Sequence, residues 1–103
     1  MDDNFKVSGG ELRIFLPKEV DHHNAEDIRR KADRILETGA VSRVVFDFSE
    51  TDFMDSSGIG VIMGRYKRIC FMGGTLEVLH TNKRMDRILR MAGIYKLIGK
   101  RED

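Results

Sequence analysis

Residues 44–60 of this chain read VVFDFSETDFMDSSGIG. The stretch opens with an apolar run that only Asp47 interrupts: Val44, Val45, Phe46 and Phe48. Such a run is typical of a central strand that is covered on both faces. After a polar loop the chain passes two serines and two glycines, and the apolar spacing then becomes that of a helix. A buried strand that leads into a helix predicts an α/β fold.

A helix and a further strand follow this stretch. The apolar residues of the helix recur at steps of three and four: Ile59, Ile62, Met63, Tyr66, Ile69 and Cys70. Gly73 and Gly74 are typical of a helix end. The next strand is predicted by Leu76, Val78 and Leu79. Because a helix connects the two strands, we expect a β-α-β unit with parallel strands.

Towards the C-terminus we expect a third helix and a last short strand. The helix is predicted by Met85, Ile88, Leu89 and Ala92. Thr81 or Asn82 is placed to cap its start, and Gly93 is placed to end it. Leu97 and Ile98 could form the last strand.

The N-terminal part predicts a hairpin and a first helix. The second strand of the hairpin alternates in polarity and ends at Pro17: Leu12, Ile14 and Leu16. The pair Gly9-Gly10 favours a turn between this strand and residues 5–8. The helix is predicted over 23–38 by an apolar stripe, with Gly39 after it: Ala25, Ile28, Ala32, Ile35 and Leu36. Four charged residues are expected mostly on its solvent side: Arg29, Arg30, Lys31 and Asp33.

The resulting order of elements is β-β-α-β-α-β-α-β. It predicts one α/β domain over residues 1–103, with a mixed, mostly parallel sheet, an antiparallel edge hairpin at the N-terminus and three or more helices. The 103 residues suffice for a single core, and 41% of them are hydrophobic.

Composition and charge bear on the kind of partner. The 18 basic and 17 acidic residues nearly cancel, which argues against direct binding of nucleic acid. The first residues lack the pattern of a signal peptide, and no apolar stretch approaches the length of a membrane span. A lone Cys70 fits a reducing compartment. We therefore expect a cytoplasmic protein without a membrane contact.

The segment from Phe53 to Gly60 is the candidate for chemistry. It lies where a parallel sheet presents its carboxyl edge, and the unpaired N–H groups of the following helix favour an anion there. Either Ser56 or Asp55 could merely cap the helix. Alternatively, one of the two serine hydroxyls could be modified. The residues alone leave both interpretations open.

Other sites are weaker. Gly58 and Gly60 suggest the glycine fingerprint of a dinucleotide-binding site, but the third glycine, Gly64, comes one position later than that motif requires. A P-loop is not matched either, because no Gly-Lys-Ser/Thr sequence closes the segment.

Asp21, His22 and His23 could suggest a metal site, yet the side chains of adjacent residues diverge. A capping Asp21 with two partly exposed histidines is therefore favoured. His80 suits a structural or surface role. A basic group on the second helix fits either a solvated face or an acidic partner: Arg65, Lys67 and Arg68.

Two segments of this chain resemble the signatures of a known family. DHHNAE at residues 21–26 and FMDSSGIGVIMGRYK at residues 53–67 are similar to those of the anti-sigma factor antagonists that control the first forespore sigma factor of endospore-forming bacteria. These are single STAS domains, and the similarity covers essentially the whole chain. Relatives often continue into another helix, so a C-terminal helix is expected to be missing or very short here.

The resemblance implies a regulatory protein and not an enzyme. The unphosphorylated antagonist would bind an anti-sigma factor that is also a serine kinase, and would thereby free the sporulation sigma factor. Phosphorylation would fall on the first serine after the aspartate, Ser56, and a serine phosphatase would reverse it. The chain itself would need no cofactor or metal, since the kinase binds the ATP. The implied partner-binding residues are Asp21, Asp55, Ser56, Ser57, Gly58 and Gly60.

Two alternatives of other kinds stay open. A STAS domain could instead be a scaffold subunit or a nucleotide-sensing module of a stress-response pathway. A small nucleotide-dependent enzyme would need a general base, a nucleophile or a metal set, and none accompanies the glycines. The nature of the partner separates the anti-sigma factor antagonist from the scaffold or sensing module, and turnover by the isolated chain would reveal the enzyme.

Overall fold

A computed structural model of the chain describes residues 3–101. In chain order its strands are β1 (Phe5–Ser8), β2 (Glu11–Phe15), β3 (Glu19–Val20), β4 (Arg43–Asp47), β5 (Phe53–Met54), β6 (Thr75–Leu79) and β7 (Gly99–Arg101). Its helices are α1 (Ala25–Leu36), α2 (Ser56–Phe71) and α3 (Lys83–Met91), and a 3₁₀ turn spans Ile94–Lys96.

Five strands form the main sheet in the order β1-β2-β4-β6-β7. The hairpin β1-β2 is antiparallel, and every other neighbouring pair is parallel. Gly9 and Gly10 both have positive φ, 56° and 81°, as a tight two-residue turn requires. The predicted mixed sheet with an antiparallel edge hairpin is confirmed.

One face of this sheet and the three helices build the core. The strands contribute Leu12, Ile14, Val44, Phe46, Leu76 and Val78, and the helices contribute, among others, Ile28, Leu36, Ile62, Ile69, Met85 and Leu89. Each fully buried side chain of this size stabilises the fold by about 1.5–3 kcal/mol. The predicted apolar stripes are therefore the buried faces of the helices, except that Cys70 and Ala92 at the C-terminal ends of their stripes are exposed.

The other face of the sheet is covered by charged side chains. Val45 and Leu79 are fully buried on it but lie outside the core cluster. In the strand register Val45 stands between Arg13 and Glu77. Arg101 of β7 reaches across the sheet and places Nη1 2.9 Å from Oε1 of Glu11. The central strand is buried on both faces, as predicted, with ion pairs above one of them.

Three further details differ from the sequence prediction. Asp33, expected on the solvent side of α1, is buried and lies 3.0 Å from Nε of Arg65. The last strand is Gly99–Arg101 and does not include Leu97 and Ile98, because the preceding 3₁₀ turn draws Ile98 into the core and leaves Leu97 exposed. Strands β3 and β5 were not predicted, since two residues are too few to show a period.

The helix ends agree with their sequence signals more closely. Asn82, one of the two residues named for the role, caps α3 by accepting a hydrogen bond from the backbone N–H of Met85 at 2.8 Å. Gly39 and Gly93 follow their helices with positive φ. Within residues 3–101 no helix is both long enough and apolar enough to cross a membrane.

Candidate functional site

Strands β3 and β5 bring the two predicted signature segments together. They pair in parallel, with Glu19 opposite Phe53 and Val20 opposite Met54. The backbone N–H of Asp55 donates to the carbonyl of Val20 at 3.0 Å, which continues the ladder by one bond. Asp21 and Asp55 therefore follow the carboxyl ends of two adjacent parallel strands.

Asp55 is the residue that caps α2. Its backbone is extended, and its Oδ1 accepts a hydrogen bond from the backbone N–H of Ser57 at 2.8 Å. Ser56 is the first residue of the helix and is exposed. Among residues 3–101 the Ser56 hydroxyl has no hydrogen-bond partner. Of the two candidates, Asp55 therefore caps α2, and the Ser56 hydroxyl makes no hydrogen bond within the described residues that stabilises the fold.

Asp21 closes a turn just before α1. Its Oδ1 accepts from the backbone N–H of His23 at 2.9 Å, and its own N–H donates to Oδ1 of Asn24 at 3.0 Å. The hydrogen bond from His23 holds the pKa of the Asp21 carboxyl below its usual value. Asn24, not Asp21, occupies the cap position of α1, without a side-chain cap bond. The predicted capping role of Asp21 is wrong, and Asp21 instead orders the turn that precedes α1.

The two histidines after Asp21 are exposed. Their ring centroids lie 4.0 Å apart, and the ring planes are tilted by 37° to each other. Nδ1 of His22 lies 4.0 Å from Oδ2 of Asp55, so His22 bridges the two signature segments. In the described part of the chain, no three side chains of His, Cys, Asp or Glu come together to hold a metal ion.

Gly58 and Gly60 have different tasks. A Cβ on Gly58 would lie 2.4 Å from Cγ of Met54 and 2.9 Å from Cγ1 of Val20, so α2 can meet the β3-β5 ladder only through a glycine. A Cβ on Gly60 would meet nothing within 4 Å. Gly60 instead lines an open depression of about 290 Å³, together with His22, Arg29 and Ser57. Gly58 is buried, and Gly60 is exposed on the side where a partner could approach.

The basic group predicted on α2 is largely used inside the molecule. The guanidinium of Arg65 is buried against Asp33, and burial lowers the pKa of Arg65. Nη1 of Arg68 lies 3.4 Å from Oδ1 of Asp33. Of the three, only Lys67 is exposed. These two arginines therefore join α2 to α1 through Asp33.

Phe53, the first residue of the candidate segment, is an exposed aromatic side chain, and this exposure was not predicted from the sequence. It precedes the buried Met54 in β5 and is 45% exposed, although it is large and apolar. Exposed aromatics are enriched where proteins bind each other. The alternation of Phe53 and Met54 is the signal, but two residues are too few to interpret without the β3-β5 pairing.

Comparison with known proteins agrees with this geometry. A family model described as STAS domain matches residues 4–102. The chain belongs to the STAS domain family. It is similar to the anti-sigma F factor antagonist of Paenibacillus polymyxa, with 37% identity over 89 residues, which are 86% of this chain and 76% of that protein. It is also similar to the anti-sigma-B factor antagonist of Bacillus subtilis, with 27% identity over 90% of this chain and 84% of that protein.

Solved structures of the anti-sigma factor antagonist SpoIIAA share the fold. The unphosphorylated form has a TM-score of 0.83 and 27% identity, and the match covers 96% of this chain and 89% of that one. The phosphorylated form, from Bacillus, has a TM-score of 0.76 and 28% identity over 96% of this chain and 92% of that one. The predicted STAS fold is confirmed.

Proposed function

We propose that this chain is an anti-sigma factor antagonist whose binding to its anti-sigma factor ends when Ser56 is phosphorylated. The names of its relatives support the first part, since both are antagonists of anti-sigma factors. The second part agrees with the existence of a phosphorylated form of SpoIIAA. It also requires a hydroxyl on this chain that a kinase can reach without unfolding the domain.

The observation that carries the proposal is that Asp55, and not Ser56, caps α2. Asp55 caps α2 through the N–H of Ser57, and Ser56 is exposed with an unengaged hydroxyl. A kinase can therefore modify Ser56 without removing a bond that holds the fold. Ser57 is half-buried, which makes it the poorer acceptor.

The site can hold a phosphate without refolding. A phosphoserine carries about −1.5 to −2 charges, and the N-terminus of a helix stabilises an anion through its N–H groups and dipole. The added charge would lie beside Asp21 and Asp55, so the edge would become strongly negative. Like charges across an interface can oppose binding by several kcal/mol, and about 1.4 kcal/mol already changes occupancy tenfold. The switch therefore acts at the interface.

The proposed partners of this chain are two, an anti-sigma factor and a phosphatase. The anti-sigma factor is itself a serine kinase and binds the ATP, so this chain needs neither cofactor nor catalytic group. A serine phosphatase restores the binding form. The sigma factor released is of the sporulation type, because identity is higher to the sigma F antagonist than to the sigma-B antagonist, 37% against 27%. All of these steps take place in the cytoplasm.

Capture and mass spectrometry test the proposal. The tagged chain is recovered from its own bacterium, and its bound proteins are identified before and after addition of ATP. We expect a small ATP-binding kinase, loss of that kinase on ATP addition, and one phosphate on the peptide that contains Ser56. Ser56→Ala should abolish the phosphate and Ser57→Ala should not. Recovery of a large scaffold complex would favour the stress-response alternative instead.

A further inference from the structure

Helix α3 has a cationic face that its own neighbours do not neutralise. Lys83, Arg87 and Arg90 are exposed and recur at steps of four and three, which places them on one side of the helix. Within residues 3–101, neither Lys83 nor Arg87 makes a hydrogen bond or an ion pair. Arg90 lies over the ring of Tyr95, with 5.7 Å between the guanidinium carbon and the ring centroid.

Three of the four basic residues of α1 behave differently. Arg30 and Lys31 both pair with Asp27 at 3.0 Å, and Arg29 pairs with Glu26 and Asp33. The one acidic residue of α3 is not available in this way. Asp86 accepts hydrogen bonds from Thr81, Tyr95 and Lys100, at 2.7, 2.5 and 3.0 Å. Arg34 of α1 and Lys67 of α2 are also exposed and make no ion pair among the described residues. What distinguishes α3 is that three such basic residues share one face of the helix.

The cationic face adjoins the edge that carries Ser56. Nδ2 of Asn82, the cap of α3, donates to the carbonyl of Thr51 at 3.1 Å. Nη1 of Arg84 donates to the carbonyl of Asp52 at 3.4 Å. The exposed Phe53 follows directly, and α2 begins three residues after it. A partner seated over Ser56 and Phe53 could continue onto the start of α3.

The make-up of this face favours a protein as its occupant. The face lines an open depression of about 740 Å³. The lining residues are Lys83, Arg84, Asp86, Arg87, Arg90 and Met91, and Met91 is 81% exposed. Arginine and methionine are enriched in protein interfaces, whereas lysine is depleted. Binding of nucleic acid draws on a wider positive field, and the whole chain has a net charge of only +1.

We propose that the basic face of α3 is a second contact for the anti-sigma factor and docks against an acidic surface of that partner. The proposal rests on the function proposed above, and it adds a site away from the phosphorylated edge. Complementary charges mainly raise the association rate and fix the register of two proteins. The face would thus orient the partner so that its kinase site meets Ser56.

Charge reversal with a matched control tests this. The variant Lys83→Glu/Arg87→Glu alters the face, and Lys6→Glu/Arg34→Glu changes the net charge equally, also at one lysine and one arginine, at exposed positions elsewhere. Association and dissociation of each with the purified anti-sigma factor are followed at low and high salt, after a thermal melt to verify folding. We expect association of the first variant to slow by about tenfold or more at low salt, with the difference lost at high salt. The control should stay within about twofold of the parent, since its charges lie outside the contact.

Equal rates for the two double variants would overturn the inference. The inference would also be overturned if the Lys83→Glu/Arg87→Glu variant bound the anti-sigma factor normally but lost a binding to RNA or to anionic vesicles that the parent chain shows. The parent chain separates this failure from failure of the proposed function. If the parent binds the anti-sigma factor and is phosphorylated on Ser56, only the role of α3 falls. If the parent does not bind it, the proposed function falls first.

Discussion

Val20 and Met54 are register partners in a parallel ladder of two residues, and an aspartate follows each of them. This short ladder fixes where Asp21 and Asp55 stand relative to each other. Gly58 of α2 packs directly on it, since a Cβ there would lie 2.4 Å from Cγ of Met54 and 2.9 Å from Cγ1 of Val20. The geometry around Ser56 thus depends on close packing of a helix against two strand ends.

The first prediction concerns this packing. Gly58→Ala should destabilise the domain by about 1–3 kcal/mol, because the added methyl group overpacks the contact with Met54. Gly60→Ala, two residues on, is the matched control. It should be neutral or stabilise by about 0.5–1 kcal/mol, because alanine favours the helix and its Cβ meets open space. Urea unfolding of the two variants measures both effects. Equal stabilities would contradict the packing described here.

The second prediction separates the cap from the phosphorylation site. Asp55→Ala should destabilise the domain by about 1 kcal/mol, since the N–H of Ser57 loses its acceptor. Asp55→Asn keeps an acceptor oxygen and should retain most of that stability. Ser56→Ala should have a smaller effect, because its hydroxyl caps nothing. Thermal melts of the three variants decide the matter, and a larger loss for Ser56→Ala would reassign the cap.

The third prediction concerns the junction of α1 and α2. Asp33→Ala should destabilise the domain by about 3 kcal/mol, because it leaves the buried guanidinium of Arg65 without its carboxylate. Arg30→Ala removes an exposed pair with Asp27 and should change stability by about 0–1 kcal/mol. Denaturant midpoints of the two variants give the comparison. A cost for Asp33→Ala no greater than that for Arg30→Ala would show that the buried pair does not hold the helices.

The fourth prediction is a pH dependence from the charged face of the sheet. A hydrogen bond from Arg101, with the charges of Arg101 and Arg43, holds the pKa of Glu11 below 4.5 against the effect of burial. A carboxylate with a lowered pKa stabilises the fold above its unfolded pKa and loses that contribution as pH falls through the folded pKa. Glu11→Gln should therefore be less stable than the parent at neutral pH, and the difference should shrink below pH 4.5. Urea midpoints across this range test it, and a constant difference would contradict it.

Much of the fold could be predicted because its signals are local. The period-two alternation of Leu12, Ile14 and Leu16 and the helical spacing after Ser57 are properties of neighbouring residues, so their burial followed from the chain itself. The short ladder of β3 and β5 was missed for the opposite reason. Its two-residue strands are defined only by pairing across more than thirty positions, between Val20 and Met54.

The site shows the same limit. Asp55 and Ser56 are both good cap residues, so sequence alone left the choice between them open, and only the bond to Ser57 resolves it. Asp33 was expected on the solvent side because it is charged and does not belong to the apolar stripe of its helix. Its partner Arg65 comes from another helix, and that ion pair buries it.

The central claim is a switch at Ser56, and its most direct test is a titration of the anti-sigma factor without and then with ATP. The parent chain should bind, and ATP should release it. Ser56→Ala should bind and stay bound after ATP, and Ser57→Ala should behave like the parent. Ser56→Asp should bind more weakly than the parent even without ATP, since it places a carboxylate where the partner meets a hydroxyl. If ATP released Ser56→Ala as readily as the parent chain, the switch proposed here would be wrong.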